Sequence, residues 1–69
     1  MTPHELVAVL EKHERWLKNK SGGNRANLTM GNLEGANLAG VDLTQGKLSG
    51  ANLAHCDLSN ANLSHADLF

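Results

Sequence analysis

Apolar residues follow two rhythms along this chain of 69 residues. In the first stretch Leu6, Leu10, His13 and Leu17 recur at helical spacing, with Val9 and Trp16 flanking the stripe. Thr2-Pro3-His4-Glu5 ahead of it reads as a capping box with proline at the first helical position. Glu5 sits near the positive end of the predicted helix dipole, and Arg15, Lys18 and Lys20 near the negative end. Ser21-Gly22-Gly23-Asn24 then breaks the pattern. The expectation is a helix over about residues 3–19, roughly 24 Å long at a rise of about 1.5 Å per residue.

The second rhythm has a period of five. Leucine returns at Leu28, Leu33, Leu38, Leu43, Leu48, Leu53, Leu58, Leu63 and Leu68 without a slip. Two positions before each leucine the residue is small or compact: Ala26, Gly31, Ala36, Val41, Gly46, Ala51, Cys56, Ala61 and Ala66. One position before, it is polar: Asn27, Asn32, Asn37, Asp42, Lys47, Asn52, Asp57, Asn62 and Asp67. On a helix this period would step each leucine by roughly 140° and smear the set over every face. On a flat strand an odd period sends alternate leucines to opposite faces. A chain that turns one corner per repeat, always in the same sense, brings every leucine to a common axis, and four corners make a square coil. The small residue must then point inward beside crowded leucines, and glycine or asparagine suits the corners because both tolerate positive φ.

The A(N/D)LXX motif carried at all nine centres of residues 26–69 resembles that of the pentapeptide-repeat family. The resemblance implies a mainly β fold: a right-handed, quadrilateral β-helix with four repeats per coil and leucine on the axis, here about two coils, preceded by one α-helix. Residues 1–23 are then a capping helix with its Gly-rich turn, and residues 24–69 the solenoid. Gly31 and Gly46 depart from the pattern by leaving slack, and Lys47 by standing where Asn or Asp is usual. His13, Trp16, Leu17, Gly22, Gly23, Arg25, Ala26, Asn27 and Leu28 also resemble the leader of many bacterial members of the family.

Length admits one domain. Two and a quarter coils stack only about 10 Å high at roughly 4.8 Å per layer, which is marginal for a repeat array without caps. Aromatic mass is confined to Trp16 and Phe69, so a staple or partner is expected. It is not a disulfide, because Cys56 is the only cysteine and is read as a small buried hydrophobe rather than a reactive thiol. A reducing, cytoplasmic setting fits, with a virion as the other location considered. The longest apolar run, Leu6–Leu10, is too short for a membrane span or secretory signal and is flanked by Glu5 and Glu11.

The helix stripe (Leu6, Leu10, His13, Trp16, Leu17) needs a surface. The leading reading is a cap over Leu28, Leu33 and Leu38; the alternative is a helix lying in a partner's groove. A membrane-surface helix is disfavoured by mixed charge on its polar face. Positions 20 apart stack on one side, which predicts a Lys47–Asp67 ion pair and ladders of amide side chains such as Asn32 with Asn52. His55 and His65 fall on opposite sides of the square, and His4 and His13 are out of phase on the helix, so no metal site is expected. No catalytic constellation, phosphate loop or cofactor motif is legible, and the chain is read as a non-enzyme.

Some family members mimic duplex DNA and modulate DNA gyrase. That reading asks for about six negative charges over a 10 Å stack. Residues 24–69 carry Glu34, Asp42, Asp57 and Asp67 against Arg25 and Lys47, a net of −2. No basic stripe suggests nucleic-acid binding either. The expectation is therefore a structural or protein-interaction module. Its last coil is left open at Leu68 and Phe69, so that it stacks on a second copy, docks to a protein partner, or decorates a larger assembly such as a phage particle.

Overall fold

The computed structural model describes the whole chain, Met1–Phe69. Helix α1 spans Pro3–Leu17 and starts on the capping box: the Thr2 hydroxyl accepts from Glu5 N–H, and the Glu5 carboxylate accepts from Thr2 N–H. It ends two residues before the expected limit. Asn19 turns to φ 55°, Lys20 N–H donates to the Arg15 carbonyl at 2.8 Å, and Asn19 N–H donates to that of Trp16 at 3.2 Å. This is a Schellman stop with asparagine in the left-handed position. The chain has therefore left the helix before Gly22-Gly23 is reached.

From Asn27 onward the chain coils, and each turn of the coil takes 20 residues. Parallel bridges join Asn27 to Lys47, Asn32 to Asn52, Asn37 to Asp57, Asp42 to Asn62 and Lys47 to Asp67. On the first side Leu28 N–H donates to Lys47 at 2.7 Å, Lys47 N–H to Ala26 at 3.0 Å, and Met30 N–H to Ser49 at 2.8 Å. The other sides repeat this scheme. Between bridges the chain makes a tight turn, as where Gly31 N–H donates to the Leu28 carbonyl at 2.9 Å. The third residue of each turn has positive φ: Met30, Gln45, His55, Asn60 and His65 at 57–64°, with glycine at the remaining corners.

The mainly β expectation is met only in part. Each repeat spends its residues on a corner as well as a side, so pairing is confined to isolated bridges and no continuous strand or sheet forms. Nor is there slack at Gly31 and Gly46. A methyl group there would stand 3.0 Å from the Leu28 carbonyl oxygen and 3.1 Å from that of Leu43.

Leucine burial is graded along the coil. Leu28, Leu33, Leu38, Leu43 and Leu48 are no more than 2% exposed and form one cluster with Ala26 and Leu6 of α1. Each fully buried leucine is worth roughly 1.5–3 kcal/mol relative to an exposed one. Leu53, Leu58 and Leu63 are half-buried, and Leu68 is 48% exposed, because no coil lies on top of theirs. Ala36, Val41, Ala51, Cys56, Ala61 and Ala66 are half-buried. Leu10, Trp16 and Leu17 of α1 are half-buried as well.

Candidate functional site

The surfaces through which this molecule can meet another are its sides and its two ends. The sides are set by the polar residue before each leucine. Asn27 Oδ1 accepts from Thr29 N–H at 3.2 Å, Asn37 Oδ1 from Ala39 N–H at 3.0 Å, and Asn52 Oδ1 from Ala54 N–H at 3.0 Å. Asn32, Asp42, Asp57, Asn62 and Asp67 make the same bond. These Asx turns replace the expected inter-coil amide ladders, since each side-chain oxygen is already engaged by its own corner.

For the same reason Lys47 and Asp67 form no ion pair. They share a backbone bridge, while the Asp67 carboxylate turns to Phe69 N–H. The one side-chain ion pair is Lys18 to Glu14, at 2.8 Å on the exposed face of α1. Lys47 is the only pre-leucine position without the cap. Lys47→Asn is therefore expected to stabilise the chain by about 0.5–1.5 kcal/mol, the worth of one such bond, read as a rise in thermal midpoint.

Two carboxylates are further secured by hydroxyls. Hydrogen bonds from Thr44 hold Asp42 below the usual carboxylate range, and those from Ser59 do the same for Asp57. A carboxyl whose value is lowered on folding adds stability above its ordinary range, and that stability is lost as pH falls through the lowered value. In Thr44→Val the Asp42 carboxyl is expected to titrate at higher pH, closer to the ordinary range, in a side-chain NMR titration. Asp57 in the same chain should not move.

The amino-terminal end is closed by α1. His13 is fully buried, and its ring meets the first coil through two backbone groups. Ala26 N–H donates to Nδ1 at 2.9 Å, and Nε2 lies 2.9 Å from the Thr44 carbonyl oxygen. An amide can only donate and a carbonyl only accept, so the ring is neutral with its hydrogen on Nε2. Trp16 stacks on it at 5.5 Å between centroids and 25° between planes. Gly23 lets the connection pass close under the helix. A methyl group there would fall 2.4 Å from the Trp16 backbone nitrogen.

Beside α1 the first coil is left partly open. A groove of about 480 Å³ runs between Leu6, Val7 and Leu10 on one wall and Asn32–Asn37 on the other. Val7 is 53% exposed there.

The carboxy-terminal end has no cover in this chain. The amides of Gly50, Leu53, His55, Leu58, Asn60, Leu63, His65 and Leu68 have no partner, whereas their counterparts one coil earlier donate across the stack. The Cys56 thiol faces inward and donates to the Leu33 carbonyl of the coil beneath. Phe69 is fully exposed beside Leu68. The end is thus an apolar floor of half-buried leucines rimmed by unpaired amides.

No three His, Cys, Asp or Glu side chains converge as metal ligands would, and no helix is long and apolar enough to cross a membrane.

Among known protein families, the model for pentapeptide repeats matches residues 24–53 and 36–69 with 8 copies. No curated protein and no solved structure matches.

Proposed function

Because this chain belongs to the pentapeptide-repeat family, whose members are generally non-catalytic and concerned with interaction, we propose that it is a non-catalytic interaction module that docks through the open end of its coil. In this reading the coil is the family's right-handed, four-sided β-helix, closed at one end by α1 (Pro3–Leu17) and competent for pairing at the other. The partner is a second copy of the chain. The observation carrying this is the burial gradient: leucines of the first coil are no more than 2% exposed, while Leu68 is 48% and Phe69 100% exposed.

A second copy fits because the open rim repeats its amides at the spacing of a coil, and another coil of the same side length presents matching groups. Self-complementary two-fold contacts are the commonest arrangement for identical chains. The molecule measures 32 × 25 × 22 Å, so an end face is at or below the ~800 Å² per partner of a standard interface, and weak association is expected.

Sedimentation equilibrium tests this. The expected result is a mass rising with concentration from 7.4 kDa toward twice that value, and a return to monomer in Leu68→Lys with an unchanged far-ultraviolet spectrum. A chain that stays monomeric up to millimolar concentration contradicts the proposal, as does a Leu68→Lys chain that dimerises equally well.

A further inference from the structure

The helix cap has a chemistry of its own that docking does not use. We infer that α1 (Pro3–Leu17) is held to the coil by an acid-sensitive latch whose closing element is the His13 imidazole. The ring is fully buried between two backbone groups of fixed polarity: Ala26 N–H donates to Nδ1, and the Thr44 carbonyl accepts from Nε2. Neither group can exchange roles. A proton added to Nδ1 sets N–H against N–H at a distance where only an acceptor fits. It also places a cation in a fully buried site, the costliest location for an unpaired charge.

Other groups around the ring do not remove this conflict. Asp42 on the coil lies close enough to feel the ring's charge and favours the cation, as does stacking on Trp16. Arg25, beside Ala26 and bonded to the Gln45 carbonyl, opposes it. On the helix, Lys12 and Arg15 oppose the cation and Glu14 favours it, all three exposed to solvent. Exposed charges are screened, and none supplies an acceptor at Nδ1.

Imidazole is the side chain that gains a proton in mildly acid solution. A proton on Nδ1 leaves the Ala26 N–H with no acceptor and the ring with a donor facing a donor, so the protonated ring opposes docking and the latch opens. Opening would uncover Leu28, Leu33 and the other leucines of the first coil, creating an apolar end opposite the one described above.

The test is amide exchange followed by NMR on the intact chain at about pH 7.5 and about pH 5, with protection factors corrected for intrinsic rates. The protection of Ala26 is expected to fall by roughly tenfold or more, while that of Leu43 holds. His13→Gln supplies the control, because its carboxamide offers one acceptor and one donor but does not titrate; Ala26 should then lose no protection with acid. Imidazole nitrogen shifts on the unsubstituted chain give a second reading. A ring that stays neutral at about pH 5, or one that gains a proton while Ala26 remains protected, overturns the latch. So does an equal acid loss at Ala26 in a His13→Gln chain that is docked at the higher pH.

Discussion

Gly23→Ala is expected to displace α1 from the end of the coil. The added methyl group would lie 2.4 Å from the Trp16 nitrogen and 2.7 Å from the Arg15 carbonyl carbon, both backbone atoms of the helix. Backbone cannot rotate aside as a side chain can, so either the helix lifts or the connecting chain bends. Lifting breaks both contacts of the His13 ring, at Ala26 and Thr44, together with the bond from Asn24 N–H to the Lys12 carbonyl. Overpacking of this kind costs about 1–3 kcal/mol or more. A chain of this size is expected to have only roughly 3–10 kcal/mol in total. The readout is near-ultraviolet circular dichroism, where the Trp16 signal should collapse while far-ultraviolet signal from α1 is reduced but present. An unchanged Trp16 signal with an unchanged thermal midpoint would show that the close approach is not required.

Leu43→Ala is expected to cost about 2–5 kcal/mol, the range for deleting a fully buried leucine side chain, whereas Leu63→Ala should cost about 1–2 kcal/mol for a half-buried one. The two residues hold equivalent positions one coil apart, so sequence alone makes them interchangeable. Leu43 is 0% exposed and has the next coil above it, while Leu63 lies at the uncovered end. Urea unfolding of both variants at micromolar concentration, where the end is free, measures the difference directly. Equal losses would mean that the burial gradient carries no energetic weight. A larger loss in Leu63→Ala at high protein concentration is the expected sign of the docked end.

Much of this architecture is visible in the order of the residues. The unbroken leucine period excludes both regular secondary structures and leaves a coil with a corner in each repeat, and Thr2-Pro3-His4-Glu5 marks the start of α1. Local side-chain chemistry is less legible in the residues, for identifiable reasons. The helix ends at Leu17 because one left-handed asparagine, Asn19, suffices for a Schellman stop, while Gly23 serves a different purpose, close passage under the helix. Lys47 and Asp67 share a side as their 20-residue spacing requires, but alignment is not pairing: the Asp67 carboxylate is engaged by its own turn. The Asx turns could have been anticipated, since Asn or Asp ahead of a corner is a local signal that needs no tertiary contact.

His13 is the harder case. Its place on the apolar stripe suggests packing and a hydrogen bond, but the identity of its partners depends on which end of the coil the helix meets. Ala26 and Thr44 are 13 and 31 residues away, and nothing in their own positions marks them as its partners. Likewise the openness of the far end becomes visible only when Leu68 is placed beside a coil that has nothing above it.

The central claim is that the chain pairs with itself once every 20 residues around a shared line of leucines, and amide exchange resolved by NMR in dilute solution measures it most directly. The account predicts slow exchange at Leu28, Leu33, Leu38, Leu43 and Leu48, which donate to carbonyls 19 residues further on. It predicts fast exchange at Leu53, Leu58, Leu63 and Leu68, which have no partner. Protection spread evenly over both sets, or absent from both, would contradict it.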